Sequence, residues 1–63
     1  MKDSYYWDTG DVVIAINSVK GQFTEGKEYL IDYVSWEDEV MVVQDDSGNP
    51  NGWHIDNFKY GGK

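Results

Sequence analysis

Sixty-three residues without a cysteine make one small domain at most, exclude disulfides and thiolate metal sites, and suit a reducing compartment. Twelve acidic residues face five lysines and no arginine, for a net charge of −7 and an isoelectric point near 4.2. Such a surface repels phosphate backbones and argues against direct nucleic-acid binding.

The same charge keeps a small domain soluble. It also suits a basic cleft on another protein, because complementary fields speed and orient encounter. A domain of this size buries only about 60% of its unfolded surface. The ten aromatic residues, 16% of the chain, are therefore expected to supply much of the core, at roughly 150–250 Å² each. Met1-Lys2-Asp3 does not open an apolar leader. The longest apolar run, Val12–Ile16, falls far short of the ~20 residues that span a bilayer. A soluble, cytoplasmic protein with no membrane partner is expected.

In chain order, residues 1–10 form an aromatic N-terminal tail, with Tyr5, Tyr6 and Trp7 consecutive among polar residues. Asp11–Asn17 reads as a strand with apolar residues on both faces, hence central or covered at one edge, and Ile14 is taken as a core position. Ser18–Gly26 is a loop punctuated by Gly21 and Gly26, with Phe23 as its one large apolar anchor. Lys27–Val34 is the second strand, Tyr29, Ile31 and Tyr33 sharing one face and Glu28, Leu30 and Asp32 the other. Ser35–Glu39 is an acidic connection.

Val40–Gln44, rich in β-branched residues, is the third strand, and Gly52–Ile55 the fourth. Asp56–Phe58 predicts a single helical turn that Asp56 can cap. A short last strand around Lys59–Tyr60 precedes a flexible 61–63 end. Short strands at regular spacing, with glycine turns and no helical period, predict an all-β fold. The expected form is a small, strongly bent, mainly antiparallel barrel of five strands over residues 11–60.

The order of a glycine-bearing loop, Glu25-Gly26-Lys27-Glu28-Tyr29, the Asp45-Asp46-Ser47-Gly48-Asn49 hairpin and the Asp56-Asn57-Phe58 turn resembles the small SH3-like barrels of tailed bacteriophages. That resemblance covers about residues 11–60. It implies a five-stranded SH3-like barrel with a short 3-10 turn before the last strand, in an accessory protein of the kind that binds host proteins. The peptide-binding SH3 domains of eukaryotes carry an Ala-Leu-Tyr-Asp-Tyr stretch, a paired Trp-Trp and a Pro-x-x-Tyr. None of these occurs here, so recognition of proline-rich peptides is not supported.

Counted from Asp45, oxygen-bearing side chains recur at positions 1, 3, 5, 7 and 12, the ligand rhythm of a calcium loop. Position 6, however, is Pro50 where a glycine is needed, and the flanks read as strands. Pro50 restricts itself and Asn49 to conformations that cannot wrap an ion, so the stretch is expected to be a hairpin. His54, the lone histidine, would need an orienting carboxylate and a nucleophile to act as a base. No cofactor, metal or catalytic residue is assigned.

The reading that results is a monomeric, non-enzymatic protein-binding module. Its partner is a host protein with a basic surface, bound without direct nucleic-acid contact. An acidic rim of Glu37, Asp38, Glu39, Asp45 and Asp46 steers the encounter, and Trp36 and Trp7 anchor it by burial. A sharper form of the same class is a DNA mimic with carboxylates spaced like phosphates. A structural component that self-associates through a strand edge is the rival of a different class, and an enzyme built on His54 is the weakest. The tail has its own pair of readings, an added strand that caps the barrel or a partner-facing surface.

Overall fold

The computed structural model describes residues 7–62. Five strands run β1 (Val12–Ala15), β2 (Glu28–Ser35), β3 (Val40–Gln44), β4 (Pro50–His54) and β5 (Phe58–Gly62), with a 3-10 turn at Ile55–Asn57 ahead of the last. They form one antiparallel sheet in the order β4-β3-β2-β1-β5, the SH3-like arrangement expected from the sequence.

The eight-residue β2 is the hinge of the sheet. Its first half pairs with β1, Leu30 opposite Val12 and Glu28 opposite Ile14. Its second half pairs with β3, Ile31 opposite Val43 and Ser35 opposite Val40. Between them the register shifts at Ile31/Tyr33, so Asp32 is an extra residue that bends the strand. One long strand thereby serves two half-sheets, and the sheet curls over a single core.

That core is small and mixed. Val13, Ile31, Met41 and Val43 are fully enclosed, and Phe23, Tyr29, Ile55 and Phe58 are buried around them. Phe23 lies flat on Trp53 at a centroid separation of 4.3 Å and meets Tyr29 edge-on at 5.6 Å. Phe23 reaches this position because its loop turns back on itself. Val19 and Phe23 exchange backbone hydrogen bonds of 2.9 Å around Gln22 and Gly21, whose φ is +79°.

Several expectations shift by a residue or two. On β1 the enclosed residues are Val13 and Ala15, while Ile14 faces outward and is half-buried. Tyr33, expected beside Tyr29 and Ile31, is 58% exposed because the extra residue Asp32 reverses the alternation. Pairing in β4 begins at Pro50 opposite Gln44 rather than at Gly52. A proline is tolerated there because β4 is an edge strand. The 3-10 turn is capped by His54, whose Nδ1 accepts from the Asp56 amide at 3.1 Å, and not by Asp56. Phe58 opens β5, and Gly61 and Gly62 continue it, so the described part of the segment read as a flexible end is strand; Lys63 lies outside the described residues.

No added strand is formed by the described part of the tail. Asp8–Asp11 makes a tight turn, and Trp7 is buried with its ring between Trp36 and Tyr60. Trp7 thus joins Trp36, just past β2, to Tyr60 on β5 by side-chain packing. Tyr5 and Tyr6 lie outside the described residues. Among the described residues no helix is long and apolar enough to cross a membrane.

Candidate protein-binding surface

The hairpin that resembled a calcium loop is a turn organised by one carboxylate. Asp45 Oδ1 accepts from the amides of Ser47 (2.9 Å) and Asn49 (3.1 Å), and its Oδ2 accepts from Asn51 Nδ2 (3.0 Å). These donors, Asn51 first, hold the Asp45 carboxyl below its ordinary pKa. Gly48, with φ +84°, supplies the one positive-φ residue of the turn.

Asp46 turns the other way, onto the opposite half of the sheet. Tyr29 Oη donates to its Oδ1 at 2.6 Å, Thr24 Oγ1 to its Oδ2 at 2.7 Å, and Lys27 Nζ lies 3.0 Å from Oδ1. The pKa falls to about 2, chiefly through the Tyr29 and Thr24 hydrogen bonds and then Lys27. Two of the five carboxylates read as an acidic rim are therefore engaged within the chain.

The other three behave differently. In the turn between β2 and β3, Ser35 Oγ accepts from the Asp38 amide at 3.2 Å and lies 3.3 Å from Asp38 Oδ2. Glu39 is held at φ +60°, where its carbonyl accepts from the Ile55 amide at 3.1 Å. Glu37, Asp38 and Glu39 are all exposed. Among the described residues no lysine lies within ion-pair distance of any of them. Among the described residues the one basic side chain within reach of this group is His54, whose Nε2 stands 3.2 Å from Glu39 Oε1. With Nδ1 accepting from the Asp56 amide, the neutral ring carries its proton on Nε2 and donates to Glu39. His54 is thus a clip joining β4, the acidic turn and the 3-10 turn. Among the described residues, no three of His, Asp or Glu are grouped so as to hold a metal ion.

The two tryptophans read as anchors are part of the packing. Trp36 is half-buried, meets Trp7 edge-on at 5.5 Å, and donates its Nε1–H to the Trp7 carbonyl at 3.2 Å. Trp7 is 7% exposed, and its own Nε1–H is buried without an acceptor. Trp7 is therefore corrected from surface anchor to core.

The exposed aromatic on the acidic side of the sheet is Tyr33. Its backbone partner is Val42, and Val42 in turn faces Gly52. The next row is Ser35, Val40 and His54. Since Met41 and Val43 point inward, Val40 and Val42 point outward with Tyr33. Gly52 has no side chain to cover them. A Cβ there would stand 3.6 Å from Val40 Cγ1 and 3.8 Å from Val42 Cγ2. The result is a shelf of Tyr33, Val40 and Val42 bordered by the acidic turn. Sequence reading missed it because it placed Tyr33 in the core. An isolated glycine within a strand pattern was the available signal of a close backbone approach.

Comparison with known protein families, characterised proteins and solved structures finds no match for this chain.

Proposed function

We propose that the chain is a non-enzymatic acidic binding module that docks on the basic surface of another protein, in the manner of a phage-type accessory protein acting on a host protein. The observation that carries this reading is the turn Glu37-Asp38-Glu39, exposed and without a lysine partner among the described residues, beside an uncovered apolar face. Uncompensated carboxylates cost folding a little through mutual repulsion and raise association rates with a cationic surface. Apolar area next to them supplies slow dissociation, since affinity differences within one interface reside mostly in the off-rate.

The test is retention from bacterial lysate at low and moderate salt, run in parallel with a Glu37→Gln/Asp38→Asn/Glu39→Gln variant. A specific partner held by the parent protein and lost from the variant, or released as salt rises, is the expected result. If that partner is a nucleic-acid enzyme and DNA competes for it, the DNA-mimic form applies. A partner retained equally by both proteins at both salts removes the acidic turn from the interface. No retained partner, together with sedimentation as an oligomer, replaces the binding module with a self-associating structural component.

A further inference from the structure

We infer that the shelf of Tyr33, Val40 and Val42 over Gly52 is the docking site itself, and that its occupant is an amphipathic helix of the partner whose apolar stripe is flanked by lysine or arginine. The inference rests on the function proposed above and names the surface and the partner element.

Three features of the face select this occupant. First, Tyr33 is 58% and Val40 37% exposed, with Val42 half-buried beside them, and Gly52 lays no side chain over the valine methyls on the edge-strand side. An apolar stripe laid there buries the tyrosine ring, a residue type enriched at binding hot spots, with the valines as its apolar surround. Second, the carboxylates beside the shelf carry one sign. Glu37, Asp38 and Glu39 leave β2 and enter β3 at the Val40 end, and Asp56 lies beside His54 at 3.5 Å. An occupant with a cationic flank neutralises this border, whereas a second copy, itself at −7, would bring like charge against it.

Third, the backbone disfavours an added strand. The Asp45 amide bonds Asn49 and the Ile55 amide bonds Glu39, so in this ladder the odd residues of β4 pair with β3 and the even ones face outward. Of these, Pro50 has no N–H, and the His54 carbonyl accepts from Asn57 Nδ2 at 3.1 Å. Only Gly52 is left to offer both groups, too little for strand pairing. On this side of the sheet the face, and not the β4 edge, is the available surface.

The experiment uses the full chain and three synthetic peptides: a helix-forming leucine–lysine peptide with an apolar stripe, its scrambled form of equal charge, and a leucine–glutamine helix. Amide shifts and affinities are read by nuclear magnetic resonance titration. The striped basic peptide is expected to shift Tyr33, Val40, Val42 and Gly52, and to bind at least about 10-fold more tightly than either control, a difference of about 1.4 kcal/mol. Gly52→Thr adds a Cβ at ordinary contact distance from Val40 and Val42 and a branched side chain over the shelf, so it should keep or raise the melting temperature while weakening binding about 10-fold. Tyr33→Ser should weaken it similarly.

If the scrambled peptide binds equally, Gly52→Thr has no effect and shifts are confined to residues 37–39, the shelf is overturned while the acidic reading stands. Equal binding of the neutral helix overturns the cationic flank. Sedimentation as a dimer that Gly52→Thr dissolves makes the shelf a contact between copies and overturns the proposed occupant. Failure of both basic peptides to bind at low salt overturns the shelf and the acidic module together.

Discussion

Tyr29 Oη and Asp46 Oδ1, 2.6 Å apart, tie the two half-sheets together across the fold. Tyr29 sits on β2 where it pairs with β1, and Asp46 lies in the hairpin beyond β3. The Asp46 amide adds a bond of 2.8 Å to the Gln22 carbonyl, so the hairpin also holds the loop that delivers Phe23. A charged acceptor makes such bonds stronger than neutral ones.

Acid should therefore loosen this junction first. The Asp46 carboxyl falls from the ordinary 3.8 to about 2 in the folded chain. A depressed folded pKa stabilises the fold above the unfolded value, and that contribution disappears as pH falls from about 3.8 toward 2. The melting temperature of the parent protein should drop across this window, and Asp46→Asn should lower it at pH 7 and flatten the acid slope. Thermal unfolding followed by near-ultraviolet circular dichroism checks both. An equally steep slope in the variant would assign the acid sensitivity to other carboxylates, Asp45 first, since its pKa is also lowered.

At high pH the sign reverses. Lys27 is raised above its ordinary pKa by the Asp46 hydrogen bond and charge, and Tyr29 is raised by burial and then by Asp46. Raised folded values stabilise the fold below the unfolded pKa and cease to do so as pH climbs past the folded one. Stability should fall above about pH 10, and Tyr29→Phe should remove part of that fall. Unfolding in urea at pH 8 and pH 11 measures the difference. An unchanged difference in Tyr29→Phe would exclude the tyrosine from the alkaline transition.

Trp7 gives a prediction in which two substitutions separate two effects. The ring stacks on Tyr60 at 6.0 Å and meets Trp36 edge-on, so Trp7→Ala should cost about 3–5 kcal/mol in urea unfolding. The buried Nε1–H has no acceptor, and an unmet buried donor costs about 1–3 kcal/mol. Trp7→Phe removes that donor while keeping an aromatic ring, and should cost less than half as much as Trp7→Ala. Equal costs would show that the indole N–H is satisfied in solution.

Most of the strand plan was legible because glycine turns and β-branched runs report local backbone preference. β3 fell where the run Val40–Gln44 placed it. The faces were harder. On β1 every position from Val12 to Ile16 is apolar, so alternation carries no sign, and the choice between Val13 and Ile14 depends on the pairing with β2 and β5. On β2 one extra residue at Asp32 exchanged the sides of everything after it, and no local pattern announces such a bulge. The acidic rim was legible as charge. The engagement of Asp46 depends on residues distant in the chain, Tyr29, Lys27 and Thr24, whereas Asp45 is engaged by its own hairpin.

The β1 assignment can be tested against a fully enclosed neighbour. Met41 has no accessible surface and Ile14 is only half-buried. Met41→Ala should cost about 2–5 kcal/mol, a large part of the stability of so small a domain. Ile14→Ala should cost clearly less, since its outer surface is already wet. Parallel denaturant titrations decide this, and a reversed order would turn β1 over by one residue.

Two glycines on either side of Pro50 should respond in opposite ways to the same substitution. Gly48 holds φ +84° in the hairpin turn, with open space around it. Its replacement by alanine meets no neighbour but forces an L-residue into the left-handed region, at about 1–2 kcal/mol. Gly52 has ordinary strand backbone, and a Cβ there meets Val40 and Val42 at 3.6 and 3.8 Å. Gly52→Ala adds that contact and restricts the unfolded chain, a gain of about 0.4–1 kcal/mol. Urea midpoints should thus move down for Gly48→Ala and up for Gly52→Ala. A loss at Gly52 would mean that the bare backbone is needed by the fold, and the uncovered shelf would then follow from packing rather than from docking.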